Sequence, residues 1–383
     1  MPGDPHITTP AGKPRARALG IPFSGKPGRA NAITDVPGVE VGFVTLIEGE
    51  GVRTGVTAIH PRGRGNPGDP CAAGFFSLNG NGEMTGVSWI EESGTTSGPI
   101  AITNTHAVGV AHAGIVRWTH QHHPLLTDSW LLPVAAETWD GYLNDINGGH
   151  VTEDTVVTAL QDARSGPIEE GSVGGGTGMC CYQFKGGTGT ASRIVDYADN
   201  EYVVGVLVQA NFGARNELTI AGIPLGEALA ADNPMEKHFS APQGSGSVIA
   251  VIATDAPLLP GQCKALARRV PLGLARTGTS GSHFSGDLFV AVSTGNPSAF
   301  TPGATTLRGG AYGHYDSLRF IPWGHLDPLY AAVVHASEEA VLNALTANEE
   351  MVGYQGHTVP RLPRTQATDI VTARSADAIL PPT

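Results

Sequence analysis

Gly244-Ser245-Gly246-Ser247-Val248-Ile249-Ala250-Val251-Ile252-Ala253-Thr254-Asp255 is the stretch on which the reading of this chain turns. A Gly/Ser linker runs straight into a β-branched apolar run. Val248 to Ala253 is short, continuous and free of polar residues, which predicts a strand buried on both faces. The glycine before each serine carries a chemical implication. A Gly-Ser peptide can reach backbone conformations closed to other residues, so the serine hydroxyl could attack its own preceding carbonyl. Breakage of the Gly246–Ser247 bond would leave a hydroxyl and a free α-amine on one residue at the head of a rigid strand. Such an amine titrates near ~7.7–8.0, suited to a general base at neutral pH. The plainer reading is a surface loop feeding a core strand.

Outward from this stretch, strands and helices alternate irregularly. Asp35-Val36-Pro37-Gly38 is a turn, followed by an alternating strand over 39–44. Further strands are expected at 56–59, 74–78 and 99–103, the last leading into a small-residue helix from about Val108 to His120. Thr152 caps a helix with Val156, Val157, Leu160 and Ala163 along one face. Strands at 194–195 and 202–208 pair across the turn 197–200. A helix begins near Pro260, which Pro271 should kink or end. Asp287 to Val292 is another apolar strand, and Asp327-Pro328 opens the longest helix, to about Ala347. Residues up to about Pro27 read as a poorly ordered or wrapping arm. The pattern is α/β (α+β), sheets packed on one another with helices outside.

With 383 residues, 40% of them hydrophobic and 15% charged, the chain has ample material for a core. Its 52 glycines and 28 prolines imply many tight turns. The net charge of −12 argues against a nucleic-acid or anionic-membrane surface. No run of 18 apolar residues occurs, and Met1 to Gly20 has no apolar segment of the secretory kind, so a cytoplasmic protein is expected. Cys71, Cys180, Cys181 and Cys263 are too few and too scattered for a disulfide framework.

Several motifs invite competing readings. Gly171-Ser172-Val173-Gly174-Gly175-Gly176-Thr177-Gly178 has the look of a phosphate cradle but lacks G-x-G-x-x-G and a Walker lysine. An uncleaved nucleotide- or ligand-binding protein using residues 171–178 is the alternative it supports. Gly20 to Lys26 fits G-x-x-x-x-G-K, yet Pro27 replaces the Mg²⁺-binding hydroxyl. His120, His122 and His123 lack metal-site spacing, and neither metal nor organic cofactor is expected. No G-x-S-x-G elbow occurs, so a nucleophilic serine would need another source of activation, such as its own amine. Ser245 is the rival of Ser247, but Ser247 directly abuts the strand. Ser285 and Asp287, at i and i+2 of an extended segment, share a face. Asn211 ends an apolar strand, where its amide could donate to an oxyanion, a role worth ~10²–10³ in rate.

The run from Gly246-Ser247 through Asp255-Ala256-Pro257-Leu258-Leu259-Pro260, Leu266-Ala267-Arg268-Arg269 and Gly273-Leu274-Ala275-Arg276-Thr277-Gly278 resembles the DmpA/BapA family. These are L-aminopeptidase/D-amidase-esterases and β-peptidyl aminopeptidases, and the likeness extends from about Ile33 to Pro360. It implies a DmpA-like αββα sandwich of the N-terminal-nucleophile hydrolase kind, forming a single domain over 1–383. It further implies self-cleavage into chains 1–246 and 247–383 with Ser247 as nucleophile. By the same resemblance Ser285 and Asp287 orient the nucleophile and carry protons, and Asn211 stabilises the oxyanion. Glu137 would hold the ammonium group of a small peptide or aminoacyl amide or ester. His283 matches nothing in that arrangement. The family places a tyrosine at the oxyanion near Glu137; here Trp139 stands in its place with Tyr142 three residues on. A tetramer of two-chain units is implied. An autoprocessing ornithine acetyltransferase is a further alternative, against which the serine speaks, since those enzymes cut before threonine.

Overall fold

The two-sided burial expected of the Val248–Ala253 run is what organises the molecule. In the computed structural model, which describes residues 3–128, 130–238, 244–300 and 315–377, the run lies in strand β13 (Gly246–Thr254) near the middle of a six-stranded sheet. Val248, Ala250 and Ile252 face one apolar cluster, and Ile249, Val251 and Ala253 another. Each side chain is 0–1% exposed. An alternating pattern would have left one face wet; the unbroken run closes both.

The smaller sheet contains β1 (Glu40–Glu48), β2 (Val52–His60), β5 (Ile100–Asn104) and β6 (Val134–Thr138), in that order. The larger adds β3 (Cys71–Gly80), β4 (Thr95–Thr96), β9 (Gly187–Tyr197), β10 (Asn200–Asn211) and β14 (Ser285–Ser293), with order β4-β3-β14-β13-β10-β9. Short hairpins are formed by β7 (Cys180–Cys181) with β8 (Phe184–Lys185), and by β11 (Thr219–Ile220) with β12 (Ile223–Pro224). In the larger sheet β13 and β14 run parallel, whereas β10 is antiparallel to β13 and β3 to β14.

Three apolar clusters define four layers. Ile59, Ile100, Ile102 and Val134 of the smaller sheet meet Leu207, Ile249, Val251 and Val290 of the larger. Outside the smaller sheet, Val56, Ala58 and Ala101 pack on helices Val108–His122 and Glu153–Gln161. Outside the larger, Val206, Ala250 and Phe289 pack on helices Pro260–Ala267, Val270–Ala275 and Asp327–Thr346. This is the αββα sandwich expected.

Two local expectations are refined. Pro271 neither kinks nor ends the first of these helices, which stops at Ala267; it sits in the first turn of the next, where a missing N–H costs nothing. Asp327 and Pro328 are the first two residues of the long helix, one position inside its cap, Leu326. The N-terminal arm is the wrapping kind. Buried Arg15 pairs with buried Glu170 at 2.7 Å. Arg17 and Arg193 both reach buried Glu339 on the long helix at 2.6 Å. The Glu339 carboxyl is held below its ordinary range: burial pushes it up, but Arg17, Arg193 and Asn31 outweigh that.

Candidate active site

Asn211 and Ser247 close the β10–β13 ladder, directly opposite each other at its end. The register brings the Asn211 Nδ2 to 3.4 Å from Ser247 Oγ. From the smaller sheet, the chain leaving β6 brings the Trp139 backbone N–H to 3.3 Å from the same oxygen. An oxygen at that position therefore faces two N–H donors in a site where Ser247 is only 2% exposed. Low local polarity makes such donors worth more than they would be in water. Asn211 is fixed as well as placed: its Oδ1 accepts from Cys180 N–H at 2.8 Å and its Nδ2 donates to Trp139 O at 2.9 Å.

The structure separates the two candidate serines. Ser247 is inside the ladder and its hydroxyl accepts both donors. Ser245 lies outside β13, and its buried hydroxyl has no hydrogen-bond partner among the described residues. Gly246 belongs to the strand without a left-handed φ, so conformational reach is not what its backbone displays. A Cβ there would fall 2.0 Å from Asn211 O, which makes close approach the reason for glycine.

Ser285 and Asp287 stand on the adjacent parallel strand, where Gly286 is paired with Ser247. The Ser285 hydroxyl donates to Asp287 Oδ1 at 2.6 Å, as their shared face predicts. Asn79 of β3 donates to the other carboxylate oxygen at 2.9 Å. Burial pushes the Asp287 carboxyl up, while these donors and the Val248 backbone pull it back. Among the described residues no side-chain hydrogen bond runs from this pair to the Ser247 hydroxyl; it lies one strand away.

A cavity of about 930 Å³ opens over Ser247 and is lined by Glu137, Trp139, Tyr142, Asn211 and His357 as well. Glu137 is 2% exposed at the end of β6. Its Oε1 accepts from Glu83 N–H at 2.8 Å, and the Thr105 hydroxyl donates to Oε2. Burial raises its pKa, and those two donors oppose the rise. The Trp139 group that bonds Ser247 is the main-chain N–H, not the indole. The indole ring packs where a side chain on Gly141 would otherwise lie. Tyr142 is 3% exposed and stacks on His357, with ring centroids 4.5 Å apart. Exposed His283 packs edge-on against Phe284, away from the Ser285–Asp287 pair's hydrogen bonds.

The glycine-rich stretch is not a cradle. Gly174, Gly175 and Gly176 are buried in a 3₁₀ turn between the sheets. A Cβ at Gly175 would lie 2.2 Å from Gln209 Oε1 and 2.6 Å from Ile102 O. These glycines allow backbone to pass against backbone, which leaves no room for a phosphate. Lys26, from the other phosphate-like motif, pairs with Glu201 at 2.8 Å on the surface. His122 stacks on Trp118 at a helix end. Sequence reasoning missed Asn79, Thr105 and the Glu83 and Trp139 main-chain donors. The two N–H groups have no sequence signature at all, and the side chains come from β3 and from the 3₁₀ turn after β5, far along the chain from the groups they serve.

Residues 31–359 match the profile of Peptidase family S58. The β-peptidyl aminopeptidase BapA of Sphingosinicella microcystinivorans is 48% identical over 381 residues, which cover 94% of this chain and 92% of that protein. The BapA of Sphingosinicella xenopeptidilytica is 44% identical, with the same shares covered. Among solved structures, the L-aminopeptidase D-Ala-esterase/amidase of Ochrobactrum anthropi superposes with a TM-score of 0.87 at 44% identity, over 94% of this chain and 99% of that one. That protein is described as a prototype for the serine aminopeptidases and a new variant among the Ntn hydrolase fold. A Burkholderia β-aminopeptidase gives 0.85 at 43% identity, over 94% and 98%. On the length of the sequence match and the agreement of the four layers, this chain belongs to peptidase family S58 and is an aminopeptidase of the Ntn-hydrolase fold.

Proposed function

We propose that the protein cuts itself between Gly246 and Ser247 and then uses Ser247 to release N-terminal aminoacyl groups from small peptides, amides or esters. The observation that carries this reading is the convergence of the Trp139 N–H and the Asn211 amide on Ser247 Oγ. In the hydrolysis, the Ser247 oxygen attacks the substrate carbonyl and its proton passes to the new α-amine. The charge that develops on the carbonyl oxygen meets the Trp139 and Asn211 donors. The protonated amine then returns the proton to the leaving group, giving an acyl-enzyme that water resolves by the same steps in reverse. Ser285 and Asp287 hold the neighbouring strand's polar groups in place beside the new terminus and relay protons. Glu137, 2% exposed and lining the same cavity, is the counter-charge for the substrate's ammonium, which restricts action to a free amino end.

The relatives named as β-peptidyl aminopeptidase and as L-aminopeptidase D-Ala-esterase/amidase support β-, L- and D-aminoacyl substrates as the class to screen. We assign the cut chains to 1–246 and 247–383 of one domain, assembled as a tetramer of two-chain units, as the resemblance implied. The four cysteines are all free thiols, consistent with the cytoplasm as the proposed compartment. Among the described residues no helix is long and apolar enough to cross a membrane.

Intact mass and N-terminal sequencing of the wild type and of Ser247→Ala test this directly. Two fragments are expected from the wild type, the smaller starting at Ser247, and one inactive chain from the variant. A single uncut but active wild-type chain would defeat the mechanism, and a fragment starting at Ser245 would move the nucleophile.

A further inference from the structure

Lys185 is 0% exposed, and its ammonium is given two carbonyl oxygens rather than a carboxylate: Met179 O and Gly186 O, each at 2.8 Å. The first of these is informative. The Met179 carbonyl and the Cys180 N–H belong to one peptide group. That N–H is the donor that holds Asn211 Oδ1 at 2.8 Å. The Asn211 amide in turn offers its Nδ2 to Trp139 O and to Ser247 Oγ. A continuous chain of polarisable groups thus runs from the buried cation through one peptide and one amide to the nucleophile.

We propose that Lys185 is a positioning residue for the oxyanion donor, holding and polarising the Met179–Cys180 peptide so that Asn211 presents its amide to the reacting oxygen. This inference rests on the roles proposed above for Ser247 and Asn211. Physically, a cation on the carbonyl side of a peptide draws electron density toward itself, strengthening the N–H on the other side as a donor. The same shift passes through Asn211, whose Nδ2–H becomes the better donor for it; linked hydrogen bonds reinforce one another in this way, most of all in a dry interior. Orientation is served too. With Oδ1 committed to Cys180, the amide cannot flip and turn its acceptor toward a developing negative charge.

The surroundings brace the device. Lys185 and Cys180 are paired in the β7–β8 hairpin, and Gly186 N–H donates to the same Met179 carbonyl at 2.9 Å. The hairpin turn places Tyr182 and Gln183 at φ of 52° and 56°, a conformation that glycine and asparagine ordinarily supply. Tyr182 is held there by its buried ring and by its hydroxyl, 2.7 Å from Thr277 Oγ1. Asn348 donates to the Lys185 and Gly186 carbonyls from beyond the long helix. Of this cluster Cys180, Gln183 and Asn211 line the cavity, whereas Lys185 stands behind them.

Burial lowers the Lys185 pKa to about 7; the Cys180 and Cys181 thiols across the hairpin favour its charged form and Lys13 of the N-terminal arm opposes it. The sign of the pH effect follows. The ammonium is lost as pH rises through that value, so the polarisation weakens on the alkaline side. A general-base amine behaves oppositely, gaining activity as it deprotonates.

The test compares wild type, Lys185→Met, Asn211→Ala and the double variant, with kcat referred to the amount of two-chain protein measured by intact mass. An aminoacyl p-nitroanilide serves as substrate. Lys185→Met is expected to lower kcat about tenfold or more and leave KM within about twofold. It should also flatten the alkaline fall of kcat, and in the Asn211→Ala background it should cost nothing further. Unchanged kcat, or losses that multiply in the double variant, would overturn the proposal. Should Lys185→Met not fold, Lys185→Gln is read by the same criteria. If the wild type itself yields no Ser247 terminus and no turnover, the catalytic reading falls and this inference with it. Failure confined to the Lys185 variants rejects the inference alone.

Discussion

Glu137 is asked to hold a positive charge from a position where burial works against its own negative one. Its pKa is raised by that burial, and the Thr105 hydroxyl and Glu83 N–H partly restore the ionised form. The carboxylate is therefore lost as pH falls through a value above the usual glutamate range, and substrate binding goes with it. We expect kcat/KM for aminoacyl amides to decline on the acid side through both the α-amine and Glu137, and Glu137→Gln to remove the carboxylate's share of that decline and leave the amine's. The variant should raise KM roughly ten- to a hundredfold, the loss of about 1.5–3 kcal/mol for a hydrogen bond to a charged group, with kcat much less affected. Steady-state kinetics across pH check both; a Glu137→Gln variant with wild-type KM would end the ammonium assignment. At this scale much was legible. Ser247, Asn211, Ser285 and Asp287 all carry side chains whose chemistry and strand position show in the sequence. The Trp139 donor was not, because its contribution is a main-chain N–H that any residue would supply. Trp139 and Tyr142, the two side chains the sequence offered here, both line the cavity.

At the scale of elements, the apolar run after Ser247 gave its burial away while hiding its neighbours. Period and composition locate β13, β10 and β14, but no local pattern says that β13 pairs parallel with β14 and antiparallel with β10. That pairing is what lays Asn211 opposite Ser247. Glycines misled in one place: Gly174 to Gly176 reads as a ligand loop by spacing and proves to be a point where backbones cross. The two-sided burial of β13 has a measurable consequence. Ile249→Ala and Ile252→Ala remove methyl groups from different apolar clusters, each at 0% exposure. Each should destabilise the fold by about 2–5 kcal/mol. Thermal or urea unfolding of the uncut Ser247→Ala form measures this cleanly. A cost below about 0.5 kcal/mol for either would mean that face is not packed.

For the whole molecule, the arm and the sandwich act together. Arg15 and Arg17 tie the first residues to Glu170 and to Glu339 of the long helix, so the chain's beginning is fastened to an element near its end. The order β4-β3-β14-β13-β10-β9 has a consequence of the same kind. Under the proposed cut, β14 and β13 come from the downstream piece, while β3 on one side and β10 on the other come from the upstream piece. Once denatured, the mature protein would regain its central sheet only through a bimolecular encounter, whereas the precursor closes it within a single molecule. Recovery of the processed wild type from urea should therefore depend steeply on protein concentration, and that of Ser247→Ala should not, as refolding yields over a dilution series would measure. Self-cleavage would then convert an equilibrium fold into a once-only assembly, its lifetime set by how slowly it opens rather than by how well it re-forms.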